Sequence, residues 1–313
     1  MGEIASTGGS RPLVFAGVAA LDTIALVPML PEPDTRLLAE AITQAGGGPA
    51  ATAAVAAARL GMPAAFIGAV GDDEAGARIV AGLRAENVDV SGVRVARGTP
   101  SAASVVVVES RRQTRAICAR PGPQPVIDGA AAGLIRSADW VHVDHLGWGP
   151  AWQVIRDLPR PRRPRISVDG GNDIDGLVLG VVDLYVPTLA ALWRRYGDLD
   201  PGGLLAAALA EGAANVVATR GSAGCVAAGA DGTRAEIPGY RAAVISTLGA
   251  GDVFHGALVA ATARGMPLPE SVAYSNAAAA LSCAALDGRS AIPSHRDVVA
   301  LAANPAPTPA GGP

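Results

Sequence analysis

The stretch Ser246-Thr247-Leu248-Gly249-Ala250-Gly251-Asp252-Val253-Phe254-His255-Gly256-Ala257-Leu258 sets two glycines and a single acid where an extended run gives way to an apolar one. Val253, Phe254, Ala257, Leu258, Ala260 and Ala261 recur at helical spacing. The spacing predicts a helix beginning near Gly251 and ending at Arg264, with Gly265 in the left-handed cap beyond it. The first turn of such a helix leaves N–H groups unpaired at the positive end of the macrodipole, which seats an anion. Asp252 stands at the rim of that seat, placed to take a proton from a hydroxyl. Read alone, Gly-Ala-Gly-Asp fits equally well a tight turn with the acid as helix cap.

Composition narrows the chemistry. The chain has 313 residues, and all 25 of its basic residues are arginine. Without lysine there is no Walker A phosphate loop, no strand lysine of the protein-kinase kind and no Schiff-base chemistry. Phosphate charge would have to be met by backbone N–H groups, arginine and a divalent metal. A formal net charge of −3, with no long basic block, argues against a nucleic-acid partner. No run reaches the roughly 18 apolar residues of a membrane span. Cys118, Cys225 and Cys283 form no Cys-x-x-Cys pair and read as small buried residues. A soluble, cytoplasmic protein with no membrane partner is expected.

Short apolar runs alternate with Ala- and Leu-rich helical ones, which predicts an α/β fold with a doubly wound, mostly parallel sheet. Predicted strands are Leu13–Ala19, Ala65–Val70, Ser104–Glu109, Trp140–Val143, Ile166–Asp169, Leu184–Val186 and Asn215–Thr219. Predicted helices are Ala50–Leu60, Ala75–Glu86, Leu204–Glu211, Asp252–Arg264 and Glu270–Ala285. One domain over residues 11–300 is expected, between disordered termini at 1–10 and 304–313. Residues 24–44 and 95–120 break the rhythm.

Further segments carry polar chemistry. Gly46-Gly47-Gly48-Pro49-Ala50-Ala51-Thr52 is a second glycine turn, feeding an alanine-rich helix that closes on Arg59-Leu60-Gly61. Thr219-Arg220-Gly221-Ser222-Ala223-Gly224 closes a predicted strand, and Asn276 lies inside the last predicted helix. Strand alternation puts His142 and Asp144 on one face and His145 on the other, a poor start for a three-ligand metal site. Asp144 or His145, at a strand's C-terminal end, is expected to face the crevice where such sheets bind ligands. His255 is expected to pack, or to touch the residues behind the site.

Together these motifs resemble the ribokinase-like (pfkB) carbohydrate kinase family, whose signature usually reads Asp-Thr-x-Gly-Ala-Gly-Asp. The resemblance runs from about Leu13 to Pro293. It implies phosphoryl transfer from ATP to a sugar hydroxyl, with Asp252 as base and the N–H groups of Gly249, Ala250 and Gly251 as the anion hole. It implies sugar contacts from Asp22, matching the acid that closes the first strand, and from Gly47, Gly48 and Thr52, where the family usually has Asn. It implies nucleotide contacts from Thr219, Gly221, Gly224 and Asn276. It makes residues 24–44 and 95–120 a small β lid and often a homodimer interface.

Two departures bear on cofactors. Ser246 replaces the usual Asp, which leaves activation by a monovalent cation open. Thr188-Leu189-Ala190-Ala191 replaces the family's Asn-x-x-Glu, so Mg2+ is expected to arrive on ATP phosphates, with its protein-side positioning unassigned. Within the family the likeness extends to sulfofructose kinases, which share the Thr, the lost motif and a closing Gly-Arg-x-x-Ile-Pro. Arg36, Arg115 and Arg120 offer charge for an anionic sugar, and a neutral ketose fits as well. A nucleoside kinase and a non-catalytic sugar- or nucleotide-binding regulator are the alternatives.

Overall fold

Leu13 and Phe15 point to one face of strand β1 (Leu13–Ala16), Val14 and Ala16 to the other, and all four are fully buried. A strand buried on both faces needs helices above and below it, and that requirement organises the molecule. A computed structural model describes residues 11–303; the termini 1–10 and 304–313, expected to be disordered, lie outside the described residues.

The remaining strands are β2 (Ala20–Val27), β3 (Ala41–Gly47), β4 (Ala64–Gly71), β5 (Asp89–Ala96), β6 (Ala103–Glu109), β7 (Thr114–Arg120), β8 (Trp140–Val143), β9 (Arg165–Asp169), β10 (Leu184–Val186), β11 (Asn215–Thr219), β12 (Cys225–Gly229) and β13 (Arg234–Ile237). The helices are α1 (Pro49–Arg59), α2 (Glu74–Ala85), α3 (Gly129–Ser137), α4 (Trp148–Ile155), α5 (Leu189–Tyr196), α6 (Pro201–Ala210), α7 (Ala250–Ala263), α8 (Leu268–Ser282) and α9 (His295–Ala303).

The main sheet runs β13-β12-β11-β10-β9-β8-β1-β4-β5, parallel from β11 to β5, with the antiparallel β12 and β13 at its edge. One core layer joins Leu13, Phe15 and Phe66 to α1, α2, α7, α8 and α9, and the other joins Val14, Ile67 and Val141 to α3, α4, α5 and α6. This is the expected doubly wound, mostly parallel sheet. A smaller sheet, β3-β2-β6-β7, is the expected lid. Its inner residues Ile24, Val106 and Val108 pack with Leu248 and Leu286, which brings it against the turn at Gly249.

Several boundaries differ from expectation. The backbone leaves the main sheet after Ala16, so Asp22 lies in β2 of the small sheet rather than at the end of the first strand. Val95 and Ala96 belong to β5 of the main sheet. Helices α3, α4, α5 and α9 went unpredicted. Each is only eight or nine residues long, too short for periodicity to announce it. Cys118, expected inside, is exposed on β7. Among the described residues no helix is long and apolar enough to cross a membrane.

Candidate active site

Gly249 opens α7 in the left-handed conformation, φ +74°, and a β-carbon there would lie 2.7 Å from the Gly288 Cα. Only glycine satisfies both the torsion and the contact. The helix therefore starts at Ala250, one residue before the expected position, and Asp252 falls in its first turn. The N–H groups of Gly249 and Gly251 have no partner among the described residues, whereas that of Ala250 makes a 3.3 Å bond to the Thr247 carbonyl. The free N–H pair stands at the positive end of α7, where an anion seat is expected, and Ala250 could add to it only by giving up that long bond. Ser246 is buried, and its hydroxyl accepts from Leu248 N–H at 3.1 Å, which shapes the approach to the turn.

Asp252 itself accepts no hydrogen bond among the described residues and is half-buried. Burial, and then the negative charge of Asp169, push its carboxyl up to about 7, against the opposing pull of His255 and Arg289. A base with a near-neutral pKa suits proton abstraction at physiological pH. If Asp252 is the base it works ionised, and sugar-dependent kcat/KM should then fall roughly tenfold per unit as pH drops below about 7. An unperturbed Asp would put that limb near 4, and a pH-rate profile separates the two.

Behind Asp252 lies a pair that sequence reasoning did not assemble. His255 Nε2 is 3.2 Å from Asp169 Oδ1, both buried, with Asp169 at the C-terminal end of β9. Burial alone would strip the proton from His255, but Asp169 and Asp252 raise its pKa. Asp169, despite its burial, is held well below the usual carboxylate range by His255 and by the Gly171 N–H. The His142 ring lies 5.2 Å from the His255 ring, tilted by 40° to it, and bonds Ser167 Oγ at 3.0 Å. Burial and the His255 charge push it down to about 3, so it is neutral. The one advance signal for this pair was an acid closing a predicted strand before Gly170-Gly171.

On the sugar side, Asp22 of β2 pairs in register with Ser104 of β6, and the Ser104 hydroxyl donates to Asp22 Oδ1 at 2.5 Å. Asp22 Oδ2 rests against the Gly47 Cα so closely that any β-carbon at Gly47 would collide with it. Burial raises the Asp22 carboxyl, while Ser104 and Arg289 lower it.

Two expected sugar contacts are already engaged. Thr52 is buried and its hydroxyl accepts from Arg289 Nε at 3.2 Å. Asp144 is fully buried and accepts from the backbone N–H groups of Val18, Leu146 and Gly147, so it holds the turn after β8 instead of facing the crevice. Short-range backbone donors saturate a carboxylate in a way that strand alternation does not reveal.

The lid arginines divide. Arg115 Nη1 donates to Thr247 Oγ1 at 2.7 Å, tying β7 to the segment that leads into the Gly249 turn. Arg120 donates to the Ser101 carbonyl at 2.9 Å. Arg36 lies in the exposed loop between β2 and β3 and makes no hydrogen bond or ion pair among the described residues. On the nucleotide side, Thr219 ends β11, and Gly221 and Gly224 take φ +58° and +88° in the turn that follows. Asn276 donates to the Pro238 carbonyl at 2.7 Å and so fixes the segment after β13 beside that turn.

The pfkB family carbohydrate kinase model matches residues 11–156 and 172–295. The ATP-dependent ribose-1-phosphate kinase of Halopiger xanaduensis is 28% identical over 302 residues, covering 89% of this chain and 94% of that protein. The ribokinase of Arabidopsis thaliana complexed with ribose and ATP superposes with a TM-score of 0.80 at 23% identity, over 94% of this chain and 99% of that one. The ribokinase of Giardia lamblia reaches 0.82 at 17% identity, over 94% and 99%. With a glycine turn and a poised base at the head of α7, and the family match running through both glycine signatures, the chain belongs to the pfkB family of carbohydrate kinases, phosphotransferases with an alcohol group as acceptor.

Proposed function

We propose that the chain transfers the γ-phosphoryl group of ATP to a hydroxyl of a small sugar held between Asp22, Gly47, Gly48 and Asp252. The observation that carries this is Asp252: unbonded, partly exposed, near-neutral in pKa and directly beside the unpaired N–H of Gly251 at the head of α7. Asp252 would take the hydroxyl proton as the oxygen attacks phosphorus in line. The Gly249 and Gly251 N–H groups, joined by Ala250, would stabilise the charge on the transferred group. Thr219, Gly221 and Gly224 would line the nucleotide phosphates, and Asn276 would hold the wall beside them.

Magnesium fits this reading only as part of the nucleotide. Thr188, where the family has Asn, accepts from Ala191 N–H as the cap of α5. Among the described residues no three His, Cys, Asp or Glu side chains are grouped to hold a metal ion. Magnesium keeps its waters readily and binds phosphate oxygens, so it would enter on ATP.

The outer face of the lid exposes Ile42 and Val105, at 70% and 53%, which supports pairing with a second copy. The three cysteines are unpaired, which suits a reducing, cytoplasmic setting.

The test is ADP release from Mg-ATP with purified protein and a panel of ribose, ribose 1-phosphate, fructose, a sulfonated ketose, adenosine and inosine. Release that depends on one of the sugars is expected. A preference for a nucleoside would replace the sugar assignment, and sugar binding with no ADP release from any acceptor would overturn the proposal in favour of a non-catalytic binder.

A further inference from the structure

Arg289 lies in the loop after α8, at the end of which Gly-Arg-x-x-Ile-Pro is spelled by Gly288 to Pro293, and it is only 7% exposed. Its side chain crosses to the other glycine signature. Nη2 donates to the Gly47 carbonyl at 2.9 Å and Nε to Thr52 Oγ1 at 3.2 Å, while Nη1 lies against the Gly46 Cα with no hydrogen-bond acceptor among the described residues. The loop is held firmly: Asp287 Oδ1 accepts from the N–H groups of Arg289 and Ser290 at 2.8 Å, and Arg59 donates to the Arg289 carbonyl at 2.6 Å while pairing with Glu86. The residue before it, Gly288, abuts Gly249 of the anion seat.

A buried guanidinium is costly unless its charge is used. No carboxylate comes within 4 Å of this one among the described residues, yet Asp22 and Asp252 both feel its field, as do Glu86 and Asp287 farther back. Burial brings Arg289 down to about 10, against those four carboxylates, so it stays charged at neutral pH. Around Asp252 the facing charges are Asp169 and Asp144, which raise its pKa, and His255 and Arg289, which lower it.

We propose that Arg289 is a positioning residue of the acceptor site: its guanidinium fastens the sugar-side glycine turn beside the catalytic turn and supplies the positive charge that Asp22 and Asp252 share. This rests on the sugar-kinase reading above. Thr52, an expected sugar ligand, then serves as the guanidinium's anchor, and the sugar meets a floor that is cationic between two acids.

The experiment compares Arg289→Gln, which keeps hydrogen-bonding capacity without charge, with Arg289→Lys, which keeps the charge. In the glutamine variant the acid limb of sugar kcat/KM should move up by on the order of one pH unit. Its sugar KM should rise roughly tenfold or more, with KM for ATP within about twofold. The lysine variant should keep the limb within about 0.3 units while still losing sugar affinity. Carbon-13 titration of the Asp252 carboxyl in the full chain, assigned with Asp252→Asn, reads the same shift without turnover, so failure of the kinase reading does not obscure it. A folded glutamine variant whose limb and carboxyl midpoint match the parent's would overturn the proposal, as would a change in KM for ATP equal to that for sugar. If the glutamine variant is insoluble, Arg289→Met takes its place in both measurements.

Discussion

Asp252→Asn should lower turnover by on the order of a hundredfold to ten-thousandfold while leaving sugar KM within a few-fold. Asparagine matches the carboxylate in shape and accepts a hydrogen bond from the sugar hydroxyl, but it cannot take the proton. The acid limb near pH 7 should vanish with it, since the titrating group is gone. The same change should stabilise the fold at pH 8. The native-state pKa of Asp252 lies above its unfolded value, so the cost of ionising it grows as pH rises from about 4 and is complete above about 7. Removing that cost should raise Tm by a few degrees in alkaline buffer and leave it nearly unchanged at pH 4. Full turnover in the variant, or an acid limb still at 7, would remove Asp252 from the role of base.

Gly256→Val should cost about 2–4 kcal/mol of stability and lower Tm on the order of 5–10 °C. Gly256 sits one turn after Asp252 on α7, where any β-carbon would run into the Ala53 backbone carbonyl of α1. A backbone atom in the middle of a helix cannot swing aside as a side chain does, so the two helices must separate. They carry the two glycine signatures, α1 from Gly47 and Gly48 and α7 from Gly249 and Gly251, so sugar KM should rise with the loss of stability. Gly82→Ala on α2 is the control: its added methyl meets open space, and helix propensity should raise stability by up to about 1 kcal/mol. Equal Tm shifts in the two variants would show that the α1–α7 contact is not the tight one.

The glycine turn, the helix behind it and the βα rhythm were legible because each is a local pattern. Gly249 and Gly265 punctuate α7 at its ends, and Leu13 to Ala16 are apolar without interruption, as a strand covered on both faces must be. The two lid segments showed in the sequence as interruptions of that rhythm, and the family resemblance made them a lid; the pairing of β2 with β6, parallel and some eighty residues apart, was not legible.

What the sequence did not show is what else these side chains hold: a guanidinium 237 residues away donates to Thr52, whose own O–H stays available, and backbone N–H groups 126 and two to three residues away donate to Asp144. A sequence shows which donors and acceptors exist and not which partners they meet. His255 and Asp169 illustrate the reverse case: each was unremarkable alone, and the sheet brings them within 3.2 Å behind the base.

By itself the sequence excluded lysine-based phosphate handling and offered a glycine turn at a helix N-terminus with one acid beside it, because torsional freedom, helix polarity and proton affinity are properties of those residues in that order; the family resemblance made that phosphoryl transfer. Only the tertiary structure decided how that acid is tuned. Its pKa is set by burial, by His255 one turn on along α7, and by Asp169 and Arg289, which reach it from separate parts of the chain, and long-range electrostatics depends on where charges lie in space.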